Sequence, residues 1–234
     1  MRVFLIHGMG RSKASLILLS SRLKRAGYDV SLYGYTVRRA PLEDIALDFV
    51  KHLELVLAKD RTAHRNEDVA HVGDAQYAII GHSLGNIITR LAGAMLPPGF
   101  SRFIMLAPPN QSPVMARMLQ ENRVFRSLTG DAGQRLADED FYQRLSIPDA
   151  PACILAGGKG PRANWLPFKG KTGDGVVSVE ETRLGSIPHR VFPSIHTFIM
   201  NNRKVTLTIL HFLKNGVLDD EDAPVSLTPL GAAA

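Results

Sequence analysis

Tyr77-Ala-Ile-Ile-Gly81-His82-Ser83-Leu84-Gly85-Asn86 joins two different periodicities across one sharp turn. Before Ser83 lies a short apolar run that alternates too little for a half-exposed strand and reads as a buried parallel one. After it, Ile87, Ile88, Leu91, Ala92 and Met95 recur at helical spacing. Strand, turn and helix in that order make Gly-x-Ser-x-Gly a candidate nucleophile elbow, with Ser83 in a strained conformation at its tip. A side chain at Gly81 or Gly85 would press on the neighbouring strand and helix, so the turn requires both glycines. The helix start beneath Ser83 offers unpaired N–H groups and a partial positive charge where an oxyanion would form. The pentapeptide alone is equally an ordinary strand-to-helix turn, and the rest of the chain must decide.

A chain of 234 residues, 45% apolar and 21% charged, suits one globular domain with a sizeable core. The single Cys153 excludes an internal disulfide framework and is compatible with a reducing compartment; its apolar surroundings make it a core residue rather than a reactive thiol. No stretch approaches the ~20 apolar residues of a membrane span. Met1 to Gly8 runs straight into a strand without the features of a secretory signal, so a cytoplasmic location is expected. A net charge of +6 raises nucleic acid or anionic lipid as partners. The basic residues are scattered, however, with no aromatic interleaving or nucleic-acid motif. A solvated basic surface is the better reading, with no nucleic-acid partner and at most transient contact with a membrane surface.

Taken in order, Val3 to Ile6 is a strand closed by His7-Gly8-Met9-Gly10, and Ser12 can cap a helix over about 13–26 that stops at Gly27. Tyr28 to Tyr35 is a second strand, and Pro41 opens a helix to about Lys59 through Ile45, Phe49, Leu53 and Val56. Residues 60–75 read as a polar surface loop, in which His64, Asp68 and His71 match no metal spacing. The elbow follows, then a strand at Phe103 to Ala107. Residues 112–145 hold two helices, about 113–121 and 133–144, with no strand between them, and are a candidate cap or, equally, a pair of connecting helices packed on the sheet. Ala152 to Ala156 resumes the sheet and leads into a Gly-rich loop, 157–175, that lacks the Walker spacing for phosphate. Arg190 to Phe192 is the last strand, followed by a helix over about 199–214 and a stop at Asn215-Gly216. The expected organisation is therefore a single domain over 1–216 and a disordered tail over 217–234.

Alternating strands and helices imply a mostly parallel sheet of about six strands, covered on both faces, with ligands bound outside the carboxyl ends of the strands. His7 to Gly10, Ser83, Asp174 and His196 all fall at such ends, so they can converge. Their order of Ser, Asp, His is the one nucleophile-elbow enzymes use. Rival side chains have structural readings: His82 packs in the elbow, His7 braces its loop, and His189 and His211 belong to a strand start and a helix. Asp149 is the main competitor for the acid, and Glu180 and Glu181 read as surface residues.

With these motifs in hand, the chain resembles an α/β-hydrolase of the small bacterial lipase/esterase type, related to the lipase class 2 and PGAP1-like groups. Leu-Ile-His7-Gly8-Met9-Gly10, Gly81-His-Ser83-Leu-Gly85, Gly173-Asp174-Gly175-Val-Val-Ser and His196-Thr-Phe match its catalytic blocks over about residues 1–213. Asn86 departs from it where many lipases carry a second glycine, and the chain begins at the family's third strand, so the fold should be minimal. The resemblance implies a serine hydrolase of carboxylic esters, lipid-like acyl esters above all, with Ser83 as nucleophile, His196 as base, Asp174 as acid and an acyl-enzyme intermediate. Gly173 and Gly175 would allow the turn that aims Asp174. The N–H of Leu84 follows the nucleophile, and the family pattern adds the N–H of Met9, as oxyanion donors. No metal or organic cofactor is implied. Met115, Met118 and Trp165 are candidates for an acyl pocket, though core packing is the better reading of most such apolar residues. Acyl transfer or thioester hydrolysis by the same residues, or a catalytically idle binding module, stay open as alternatives.

Overall fold

The computed structural model describes residues 1–38, 40–64, 76–161 and 170–219. Six strands, β1 (Arg2–Ile6), β2 (Asp29–Tyr33), β3 (Tyr77–His82), β4 (Phe100–Leu106), β5 (Ala152–Gly157) and β6 (His189–Phe192), form one sheet in the order β2-β1-β3-β4-β5-β6. Every neighbouring pair is parallel. The helices are α1 (Ile17–Arg25), α2 (Leu42–His64), α3 (Leu84–Ala92), α4 (Val114–Leu119), α5 (Arg123–Ala137), α6 (Glu139–Gln143) and α7 (Arg203–Asn215).

Strand periodicity divides the core in two. Phe4, Ile6, Ile79, Phe103, Met105 and Ile154 face one layer, where Phe49, Leu53, Ile87 and Ile88 of α2 and α3 cover them. Their neighbours Val3, Leu5, Ala78, Ile80, Ile104 and Leu155 face the other, against Leu19 and Leu23 of α1 and Ile209 and Phe212 of α7. Both faces are buried, which is why the central strands read as continuous apolar runs rather than alternating ones. Each Leu or Ile buried this way contributes about 1.5–3 kcal/mol.

Several boundaries differ from the sequence reading. Ser12 is extended (φ −138°, ψ 175°) and makes no side-chain capping bond; the chain first makes a 3-10 turn at Lys13–Leu16. Between β4 and β5 there are three helices rather than two. The Asn122 side chain accepts the N–H groups of Val124 and Phe125 and so starts α5 well before residue 133. Gly130 (φ 56°, ψ −142°) then kinks it where the backbone passes close to the Val37 carbonyl. Asp138 accepts the Asp140 N–H and begins α6 as a separate helix. The last helix also divides, into a 3-10 turn at His196–Asn201 and α7, whose Asn202 cap accepts the Lys204 N–H and whose end is the left-handed Gly216.

Of the expected tail, Leu218 packs against the second core layer and Asp219 pairs with Arg190 at 2.6 Å. Residues 220–234, the loop carrying Asp68 and His71, and Trp165 lie outside the described residues. Among the described residues no helix is long and apolar enough to cross a membrane, and no group of three potential metal ligands occurs. Since all strands are parallel, the loops after β1, β3, β4, β5 and β6 emerge along one edge of the sheet. The candidate residues sit there.

Candidate active site

The elbow forms because β3 ends against β4 and α3 begins at once. Ser83 lies between them at φ 51° and ψ −120°, a region rarely populated outside glycine. The neighbouring strand holds it: the Ser83 N–H donates to the Leu106 carbonyl at 2.9 Å. Both elbow glycines are sterically required. A Cβ at Gly81 would lie 2.4 Å from Asn86 Oδ1, and one at Gly85 would lie 2.7 Å from the Ile6 carbonyl oxygen.

Three side chains from separate loops meet above this turn. The Ser83 hydroxyl donates to His196 Nε2 at 2.9 Å, and His196 Nδ1–H donates to Asp174 Oδ2 at 2.7 Å. The carboxylate can only accept, so it sets the histidine tautomer and leaves Nε2 free to receive the serine proton. Asp174 Oδ1 is occupied by the N–H groups of Val176 (3.0 Å) and Val177 (2.8 Å). Gly173 pairs with Ser178 across the base of this loop, and Gly175 turns it at φ 97°. The His196 N–H also donates to the Asp174 carbonyl at 3.0 Å, tying the two loops through the backbone as well.

His7 and His82 hold the surroundings. Tyr35 N–H donates to His7 Nε2 (3.3 Å), which leaves Nδ1–H to donate to the Gly8 carbonyl (2.9 Å). The Tyr35 ring stacks on His7 at 4.4 Å, and its hydroxyl donates to the His7 carbonyl at 2.8 Å. Burial pushes the His7 imidazole below the ordinary histidine value, consistent with this neutral role. With the Gly8 carbonyl so held, the Met9 N–H lies on the opposite side of that trans peptide. The Leu84 N–H, at the first position of α3, has no intrahelical partner. His82 Nε2–H donates to the His196 carbonyl at 3.0 Å, and its buried Nδ1 has no hydrogen-bond partner among the described residues. Burial first, then the His196 ring, push this imidazole well below the histidine norm.

The other candidates fall elsewhere. Asp149 is exposed in the turn before β5, at the amino end of that strand and so at the wrong edge. Met118 on α4 is 63% exposed and Met115 is half-buried. A cavity of about 600 Å³ opens beside α4, with Ser112, Arg117, Tyr142, Lys171 and Glu181 in its lining and neither methionine among them. Glu180 is exposed as expected, but Glu181 is buried, because two backbone N–H groups converge on its carboxylate.

Sequence reasoning also missed a polar chain leading from α3. Arg90 is buried and donates to the carbonyls of Ser146 (3.0 Å) and Leu145 (3.4 Å) and to Asn110 Oδ1 (3.0 Å). Asn110 Nδ2 passes the chain on to the Thr182 carbonyl at 2.8 Å. Burial lowers the Arg90 guanidinium to about 10, still protonated at neutral pH. A cation about two turns beyond Ser83 on an otherwise largely apolar helix was the available signal.

No family model matches the sequence, and no curated protein does either. Solved structures do. Phospholipase PlaB from Legionella pneumophila aligns over 92% of this chain and 59% of its own at a TM-score of 0.69 and 17% identity. The mature lipase BlEst2 of Bacillus licheniformis gives 0.69 and 16% over 91% and 90% of the two chains. The hydrolase olei00960 of Oleispira antarctica gives 0.55 and 16% over 92% and 91%. The fold is that of the α/β-hydrolases. This α/β-hydrolase fold is spanned here by six strands, and the chain corresponds to under two thirds of PlaB.

Proposed function

We propose that this protein is a serine hydrolase of carboxylic esters, of the small bacterial lipase/esterase type. The observation that carries the reading is the continuous hydrogen-bond chain from Ser83 through His196 to Asp174 at the carboxyl edge of the sheet. Ser83 Oγ attacks the ester carbonyl as His196 Nε2 takes its proton. Asp174 stabilises the imidazolium, which then returns the proton to the departing alcohol. Water, activated by His196 in the same way, attacks the acyl-enzyme, releases the carboxylic acid and restores Ser83. The N–H groups of Leu84 and Met9 receive the oxyanion in both halves; losing one such donor typically costs about 3–4 kcal/mol.

The substrate is a lipid-like acyl ester. Support comes from the described neighbours named as a phospholipase and a lipase, and from the exposed Met118, Val124 and Leu128 on α4 and α5. On this reading the helical segment 112–145 is a cap over the site. The buried Cys153 fits a reducing, cytoplasmic setting.

The test is fluorophosphonate labelling of the native and Ser83→Ala proteins, with turnover of p-nitrophenyl esters and acyl-CoA thioesters measured beside it. Labelling confined to the native protein, with ester turnover, is expected. Robust labelling of Ser83→Ala would remove the nucleophile assignment, and turnover restricted to thioesters would move the substrate class.

A further inference from the structure

Glu181 joins three segments that meet behind the acid loop. Its side chain is buried, at 7% exposure. Oε1 accepts the N–H of Val114, the first residue of α4, at 2.7 Å, and Oε2 accepts the N–H of Ser178 at 2.7 Å. Its main-chain carbonyl accepts the N–H groups of Asn110 (2.9 Å) and Gln111 (3.1 Å), in the loop that leaves β4. Ser178 is the closing residue of the loop that carries Asp174. The adjacent Val177 donates its N–H to Asp174 Oδ1, and its carbonyl accepts the Asp174 N–H at 3.1 Å. A single peptide step therefore separates the N–H that Glu181 holds from the N–H that holds the acid.

We infer that Glu181 is a positioning residue for the Asp174–His196 pair, acting through the Ser178 N–H. The residue type fits the task. Two donors converge from opposite segments, and a carboxylate accepts on both oxygens, whereas a glutamine would turn an NH2 group toward one of them. Burying a carboxylate is costly unless its hydrogen bonds are made, and here both oxygens have a short one. When that anchor is lost, the Ser178 end of the loop is free to shift, and Asp174 Oδ2 with it. Misplacement by about 1 Å in such a site costs about two powers of ten. The inference rests on the proposed roles of Ser83, His196 and Asp174 but not on the identity of the ester.

The rate of Ser83 labelling by a fluorophosphonate reads the activation of the nucleophile without any ester substrate. Glu181→Gln is expected to slow labelling, and kcat on an acetate ester, by about tenfold to hundredfold while KM stays within about twofold. In an Asp174→Asn background the same substitution should cost less than about twofold, because its route to the chemistry is already cut. Val114→Pro removes only the other bond. Proline suits the first helical position, and Pro113 before it is already extended (φ −67°, ψ 137°) as such a residue must be. Its labelling rate should stay within about twofold of native. If Glu181→Gln does not fold, Glu181→Asp, which keeps the charge but loses reach, is read in the same way. A folded Glu181 variant that labels at the native rate, or one whose loss multiplies unchanged in the Asp174→Asn background, overturns the inference. A native protein that labels but turns over no ester overturns the proposed function, while the labelling comparison still decides Glu181. A native protein that does not label overturns both.

Discussion

Asn86 reaches back from the first turn of α3 to the strained serine: its Nδ2 donates to the Ser83 carbonyl at 3.0 Å and to the Leu106 carbonyl at 3.2 Å. The residue that departs from the usual lipase pattern thus ties the elbow to β4. Strain at Ser83 of about 1–3 kcal/mol persists only while the surroundings over-determine it. Asn86→Ala should lower stability by about 1–2 kcal/mol in urea denaturation. Ester kcat should fall by about tenfold as Ser83 relaxes away from His196. A variant with native kcat would show that the turn keeps its geometry without this side chain.

The acid can be assigned by two substitutions. Asp174→Asn should retain the fold but lose the acceptor that orients His196, and kcat should fall by orders of magnitude; about 10⁴ is the precedent in a Ser-His-Asp protease. Asp149→Asn, exposed at the far edge of the sheet, should change kcat by less than about twofold. The reverse pattern, measured on the same acetate ester, would move the role from Asp174 to its competitor Asp149.

Stability should fall on mild acidification. Burial is the main cause of lowered imidazole values at His7, His52, His82 and His189. The folded state therefore binds fewer protons than the unfolded chain, whose histidines titrate near 6.5. The stabilisation is complete above about pH 6.5 and is lost progressively as pH falls below it. Calorimetry between pH 7.5 and 5.5 should show a decreasing midpoint. A flat profile over that range would mean that these rings bind protons as readily in the folded protein as in the unfolded chain.

A preference for acyl length tests the proposed cap role of the helices between β4 and β5. If the acyl chain lies along the apolar side chains of α4 and α5, each buried methylene contributes about 0.8 kcal/mol. Four methylenes then favour the longer ester by roughly 3 kcal/mol, or about two powers of ten in kcat/KM. Met118→Asp should erase most of that preference and spare acetate esters. Parallel profiles for the two proteins would mean that the chain binds elsewhere.

The sequence by itself determined the strand order of chemistry along the chain. Apolar runs at Val3, Tyr77, Phe103 and Ala152 mark strands buried on both faces, since only such strands lack alternation. Gly81, Ser83 and Gly85 between a strand and a helix announce the turn, because a tight backbone leaves no room for other residues there. Those patterns are local, and so they are legible. What tertiary structure decided is non-local. Asp174 has the better motif on paper with Asp149 as its competitor, and the parallel sheet then puts one at each end of β5. Asn122 and Asp138 begin helices through side-chain caps that hydrophobic periodicity does not register. Glu181 reads as a surface charge until the fold brings Val114 and Ser178 to its two oxygens. A carboxylate's burial depends on which donors surround it, and those donors arrive from segments far apart in the chain.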